Sequence, residues 1–176
     1  MPVRNPRGLV IDSDIVHAAG GPGSVQPRAG RCHDFLNEVR KLGHKAVLTP
    51  ALEREWSAHL SRYAKAWFAL MLRRRLIWRV PIGGDRDLGE RLFAVAPDAQ
   101  IADIMLKDAH LLEAALATDM TVASLERRVR GHFTRASEQI AEIQEIVWAN
   151  PAREAEEQVI LWLRQGAPAE RARMLG

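Results

Sequence analysis

Six carboxylates stand out for where they fall. Asp12 follows the apolar run Leu9-Val10-Ile11, and Asp14 comes two residues later. A brief, β-branched, unalternating run reads as a strand buried on both faces, which puts Asp12 at a strand's carboxyl end. In open α/β sheets ligands bind at that end. Either acid equally fits a cap on the next turn. Glu126 repeats the arrangement: Val122 and Ala123 end a short apolar strand, and Ser124 and Leu125 precede the acid. Its plain alternative is an acid favoured by the dipole of a following helix. Asp108 is out of place in another way. On a helical wheel it falls inside the stripe Ile101, Ile104, Met105, Ala109, Leu112, Ala115 and Leu116, whereas Asp103 and Glu113 lie well off it and read as solvated. A carboxylate in an apolar stripe must be protonated, charge-paired or bound to a cation. An arginine at the edge of the core is the structural alternative to a cation. Glu53 and Glu55 flank the stripe of Leu52, Trp56 and Leu60 on opposite sides, and the wheel does not separate them.

Acids gathered at one place repel one another and raise each other's pKa unless a cation is present. Mg²⁺ and Mn²⁺ are hard ions that take carboxylate oxygen and water, and the chain has no Cys/His cluster with zinc spacing. Such ions can clamp phosphate oxygens and acidify a bound water, and metal would stabilise such a site as well. Substrate phosphates need positive partners. Arg73, Arg74, Arg75 and Arg79, interleaved with Trp67, Phe68 and Trp78, could hold a backbone and stack bases, and Arg127 opens a second arginine cluster. At helical spacing the same aromatics also read as core or as a homodimer interface, and the arginines as a solvated helix surface. His110 falls opposite the apolar stripe of its helix and is expected to be exposed, while His17, His59 and His132 give no catalytic signal.

The elements that must position these residues alternate. A strand over 9–11 is followed by a glycine-rich loop at 20–24 and a helix over 31–42 stopped at Gly43. A strand over 45–48 leads to Thr49-Pro50, an N-cap and a proline at the first helical position. The next helical stretch breaks near Ser61 and runs on as a basic, aromatic helix to Trp78; residues 81–84 interrupt the chain. Further on come a short helix over 85–95, the strongly periodic helix over 101–117, a strand over 120–123, an arginine-rich stretch over 124–136 that is irregular or partly helical, a strand over 143–148, and a closing helix from Asn150-Pro151 through Leu163. Strand and helix in alternation predict an α/β fold, a three-layer α/β/α sandwich with a short central parallel sheet of four or five strands.

Composition sets the bounds. At 176 residues, 47% hydrophobic and 27% charged, the chain suits one soluble domain over 1–176, with 151–176 as a C-terminal helical extension. A net charge of +3 is compatible with a polyanion. Lone Cys32 excludes an intramolecular disulfide framework, no apolar stretch approaches a membrane span, and the first residues lack a signal peptide's hydrophobic region, so a cytoplasmic protein without a membrane is expected.

Taken together, Val10-Ile11-Asp12-Ser13-Asp14-Ile15-Val16, Leu48-Thr49-Pro50-Ala51-Leu52-Glu53-Arg54-Glu55-Trp56, Lys107-Asp108-Ala109-His110 and Ser124-Leu125-Glu126 resemble, in order and spacing, the four motifs of the PIN-domain family of metal-dependent nucleases, over roughly residues 8–149. The resemblance implies that Asp12, Glu55, Asp108 and Glu126 are the catalytic acids and hold Mg²⁺ or Mn²⁺, with Ser13, Asp14 and Ser124 behind them, and that RNA is the substrate. Many bacterial members are toxins of toxin–antitoxin pairs, which would make an antitoxin a partner. The family more often has Asp at the position of Glu126, and an uncharged polar residue at that of Asp14. Two rivals fit part of the pattern. Val10-Ile11-Asp12-Ser13-Asp14-Ile15-Val16 also fits the first motif of haloacid-dehalogenase-type phosphatases, with Asp12 as nucleophile; that reading needs a later lysine and an acidic pair after a strand, whereas Lys107 is followed by a helix and Asp85-Arg86-Asp87 is expected to have no strand before it. The other rival is a catalytically weakened module that binds RNA or protein.

Overall fold

The computed structural model describes residues 2–82 and 84–176; Met1, and Gly83 in the break expected at 81–84, lie outside the described residues. The architecture is α/β, with five strands in one sheet: β1 (Gly8–Ile11), β2 (Lys45–Leu48), β3 (Ile77–Arg79), β4 (Thr121–Ala123) and β5 (Val147–Ala149). Their order is β3-β2-β1-β4-β5 and every pairing is parallel. Val10 stands opposite both Val47 and Val122, so β1 is central and fully buried, as its unalternating apolar run requires.

Helices cover both faces. On one lie α1 (Ser13–Ala18), α2 (Pro27–Leu42), α3 (Pro50–His59) and α4 (Arg62–Arg73); on the other lie α5 (Arg86–Val95), α6 (Ala99–Leu116) and α7 (Arg127–Ser137). Right-handed crossovers dictate this split, because the chain builds outward from β1 to β3 and then returns to build β4 and β5 on the other side. The sheet order therefore reverses between β1 and β4. At such a switch point the loops above neighbouring strands diverge and leave a crevice.

Local signals account for most element boundaries. Gly43, at φ 81°, ends α2 in the left-handed conformation. Thr49 caps α3 by accepting the Leu52 N–H, Ser61 caps α4 by accepting that of Ala64, and Asp85 and Asp98 do the same for α5 and α6. Trp56 and Trp67 belong to the core, and their indole N–H groups donate to the carbonyls of Ile11 and Leu36.

Four elements differ from the sequence expectation. The aromatic helix stops at Arg73 rather than Trp78, since Arg75 turns left-handed at φ 56° and Ile77–Arg79 pairs with the open edge of β2. The arginine-rich stretch forms a regular helix, α7, buried on Val129, Phe133 and Ala136. β5 is shorter than expected, because Ala141–Ile143 forms a 3₁₀ turn. The closing helix is broken at Gln158, at φ 46°, into a 3₁₀ turn, α8 (Glu154–Glu157) and α9 (Val159–Arg164).

Candidate functional site

Above the switch point lies a pocket of about 370 Å³, lined by Asp12, Asp14, Glu55, Asp108 and Glu126 together with Ser13, Lys107 and Arg128. Asp12 leaves β1, and its N–H donates to the carbonyl of Ala123 across the sheet. Although it occupies the N-cap position of α1, its side chain makes no capping bond. The carboxylate instead takes a 2.7 Å hydrogen bond from the buried Ser124 hydroxyl, with the Ser13 hydroxyl at 3.5 Å. Ser124 Oγ in turn accepts the Glu126 N–H at 3.1 Å, so one hydroxyl ties the end of β1 to the end of β4. Leu125 N–H donates to Asp14 Oδ2 at 2.9 Å. The other Asp14 oxygen, Oδ1, is buried and has no hydrogen-bond partner among the described residues.

The remaining acids come from helices on opposite faces. Glu55 reaches the pocket from α3, with Oε2 3.2 Å from His110 Nε2. Glu53, which the wheel did not distinguish from it, points elsewhere and pairs with Arg79 at 3.3 Å. Asp108 enters from α6, half-buried in its stripe, while Asp103 is exposed as expected. Glu113 is half-buried instead of solvated and accepts the Asp85 N–H at the start of α5. His110 is a correction and a residue the sequence did not signal. Its side chain is only 13% exposed, with the Glu55 carboxylate of α3 reaching to within 3.2 Å of its ring. Its position two residues from Asp108 is the only local hint.

The electrostatics are those of crowded, desolvated acids. Burial raises the pKa of Asp12, against the Ser124 hydrogen bond, and Glu55 adds to the rise. Burial and then Asp12 push Asp14 to about 8. The same two causes push Asp108 to about 6. Among the described residues no arginine or lysine forms a salt bridge with Asp12, Asp14, Asp108 or Glu126, so the arginine partner considered for Asp108 is absent. An all-carboxylate donor set with an orphaned buried oxygen suits a hard divalent cation. Among the described residues, no group of three or more His, Cys, Asp or Glu is already set to grip a metal ion. The acids thus share a pocket without forming a closed ligand shell.

The arginines divide. Arg73, Arg74 and Arg75 are exposed where the chain enters β3, at the amino end of the sheet and opposite the acid pocket. Arg79 is at the carboxyl end, paired with Glu53. Arg127 lies beside the acid pocket in a second cavity. Of the groups a phosphatase would need, Lys107 lines the acid pocket, but Asp85 caps α5 and Asp87 pairs with Arg91 on the same helix. No helix is long and apolar enough to cross a membrane among the described residues. Comparison of the chain with family models, curated proteins and solved structures returns no match.

Proposed function

We propose that the protein is a Mg²⁺- or Mn²⁺-dependent endoribonuclease of the PIN type. One observation carries the reading: acids from four separate parts of the chain, Asp12, Glu55, Asp108 and Glu126, line one pocket at the switch point of a parallel sheet. These four would hold the ion, and Asp14, with its free oxygen, stands behind them. When bound, a divalent ion supplies charge for the phosphoryl oxygens and lowers the pKa of water.

The chain's own groups prepare the rest. Ser124 holds the Asp12 carboxylate by its 2.7 Å bond and so fixes which oxygen faces the pocket. His110 stands beside Glu55 from α6, its Nε2 3.2 Å from Oε2 without a hydrogen bond. Lys107 and Arg128 put two cations on the wall, where they can meet non-bridging phosphate oxygens. The pocket is open to solvent, as a polymeric substrate requires, and the surface acid Glu126 stands at its mouth. A role as a toxin with a cognate antitoxin follows from the family likeness, and a neighbouring gene for a small DNA-binding protein would support it.

Labelled single-stranded and hairpin RNA, incubated with and without Mn²⁺, tests the reading. Cleavage should require the metal and fall by about a hundredfold or more in Asp108→Asn, since an ion of this kind supplies several kcal/mol of barrier lowering. A stable acyl-phosphate on Asp12 would instead assign a phosphatase. Undiminished RNA binding without cutting would leave a binding module.

A further inference from the structure

A second cavity, of about 420 Å³, opens on the other side of the first turn of α7. The two cavities divide that turn between them: Glu126, Arg128 and Val129 line the acid pocket, whereas Arg127, Arg130 and Gly131 line the second. Its walls carry four arginines, Arg127, Arg130, Arg135 and Arg153, against a single carboxylate, Glu157. That carboxylate is already engaged. Glu157 accepts the backbone N–H of Asn150 at 2.9 Å, and Arg130, Arg153 and Arg173 all stand within 3.7 Å of it. It therefore anchors Arg130 and Arg153 in place without cancelling the charge of the cavity. Arg127 and Arg135 are exposed and form no salt bridge among the described residues. Burial lowers the pKa of Arg130 against the pull of Glu157, with smaller contributions from Arg173 and Arg153.

A surplus of guanidinium groups beside a pocket of acids is a division of labour. Guanidinium forks match phosphate oxygens two at a time, as they match carboxylate oxygens, and competition with polyglutamate separates the two. One helix, about 10–12 Å across with its side chains, separates the cavities, a distance that one or two nucleotides of extended strand cover. We infer that the arginine cavity formed by Arg127, Arg130, Arg135 and Arg153 holds a backbone phosphate of the same RNA strand whose neighbouring linkage lies in the acid pocket. The inference rests on the hydrolytic reading for its second half only. It also moves the RNA contact from Arg73, Arg74 and Arg75, at the far end of the sheet, to α7.

The test is binding of a fluorescent single-stranded RNA of about a dozen nucleotides to the full chain in EDTA, where no metal-dependent cutting occurs, across a salt series. Arg127→Gln/Arg135→Gln should weaken binding about tenfold or more. It should also reduce the slope of log Kd against log salt by about 0.7, the value for one phosphate contact on a single strand. Because both side chains are exposed, the thermal melt of this variant should match the native one. Lys41→Gln/Lys45→Gln, an equal charge loss at the amino end of the sheet, should stay within twofold of native. The inference is overturned if the Arg127/Arg135 variant keeps native affinity and slope, or if Arg73→Gln/Arg74→Gln/Arg75→Gln carries the loss instead. A polyglutamate peptide that binds as tightly as RNA through the same arginines also overturns it, in favour of an acidic protein partner. RNA held by Arg127 and Arg135 in EDTA yet left whole in Mn²⁺ supports the cavity and overturns the hydrolytic reading alone.

Discussion

Asp14 is the residue whose environment makes the sharpest demand. One of its oxygens is bonded by Leu125 N–H, the other is buried and bare, and its carboxyl is pushed to about 8 by burial and by Asp12. In the unfolded chain the same group titrates near 3.8. Between these values the native state keeps a proton that the unfolded state has released, so stability falls as pH rises and the loss is complete above about 8. Asp108, raised to about 6, acts in the same direction lower down. His44 opposes both below its ordinary value of 6.5, since it is buried and its pKa is lowered. In the window from pH 6.5 to 8.5, above the ordinary value of His44 and the raised value of Asp108, the titration left is that of Asp14 beside Asp12. Thermal melts in EDTA should show the midpoint falling across that window in the native protein and staying nearly flat in Asp14→Asn. Replacing an unpaired buried carboxylate oxygen by a neutral amide should stabilise the metal-free protein at pH 8.5 by roughly 1–3 kcal/mol. Mg²⁺ or Mn²⁺ should reverse the sign, because a bound cation would favour the charged carboxylates. The native midpoint should rise on adding either ion, and rise less in Asp12→Asn; equal shifts in the two proteins would remove the shared site. Of the pocket, Asp12 and Asp108 were legible as acids in apolar surroundings. Asp14's orphaned oxygen and His110's burial were not, since both depend on what packs across from them.

Elements with their own start and stop signals are legible in the sequence, and those defined by a neighbour are not. β1 and β2 are short apolar runs, α2 ends on a left-handed glycine, and α3 begins with Thr-Pro; each can be recognised from a few adjacent residues. β3 cannot. Leu76, Ile77 and Trp78 continue the aromatic spacing of α4, and they become a strand because the edge of β2 is open to them. α7 was obscured by its arginines, which hide the stripe of Val129, Phe133 and Ala136 until α6 is seen packing on it. The register of β3 has its own consequence. A Cβ added at Gly8 would stand 2.6 and 2.8 Å from ring atoms of Trp78, two strands away, and 3.2 Å from Val47. Glycine in a central strand is therefore required by the indole lying across β2, not by a turn. Gly8→Ala should cost roughly 1–3 kcal/mol, the usual range for overpacking. In a Trp78→Leu background the same substitution should cost less than about 1 kcal/mol, read from urea midpoints. Equal costs in both backgrounds would show that the indole is not what excludes a side chain.

At the scale of the whole molecule, the last residues belong to the body of the fold more closely than the word extension suggests. Val159, Trp162, Leu163, Ala167 and Leu175 are buried in the same apolar core as β1 and β4. His44, itself fully buried, accepts the Arg7 N–H on Nδ1 and faces the Leu163 carbonyl through Nε2, both at 3.0 Å, so it bridges the N-terminal segment to α9. Met174 pairs antiparallel with Val147, which covers the edge of β5 and leaves β3 as the open edge. The segment also braces the site. Asn150 donates from its side chain to the Leu125 carbonyl, and its N–H is held by Glu157, so the turn that carries Ser124 and Glu126 leans on α8. Burying a large apolar side chain contributes about 1.5–3 kcal/mol. Val159, Trp162, Leu163 and Leu175 together then supply about 6–12 kcal/mol, comparable to the entire stability of a domain at about 5–15 kcal/mol. A chain ending at Asn150 should therefore lose its cooperative urea transition and bind a hydrophobic dye, whereas Asn150→Ala should fold and lose activity through a loosened Leu125. If the shortened chain instead melts cooperatively within a few degrees of the full one, the core does not need its C-terminal part, and the acid pocket is held by the sheet alone.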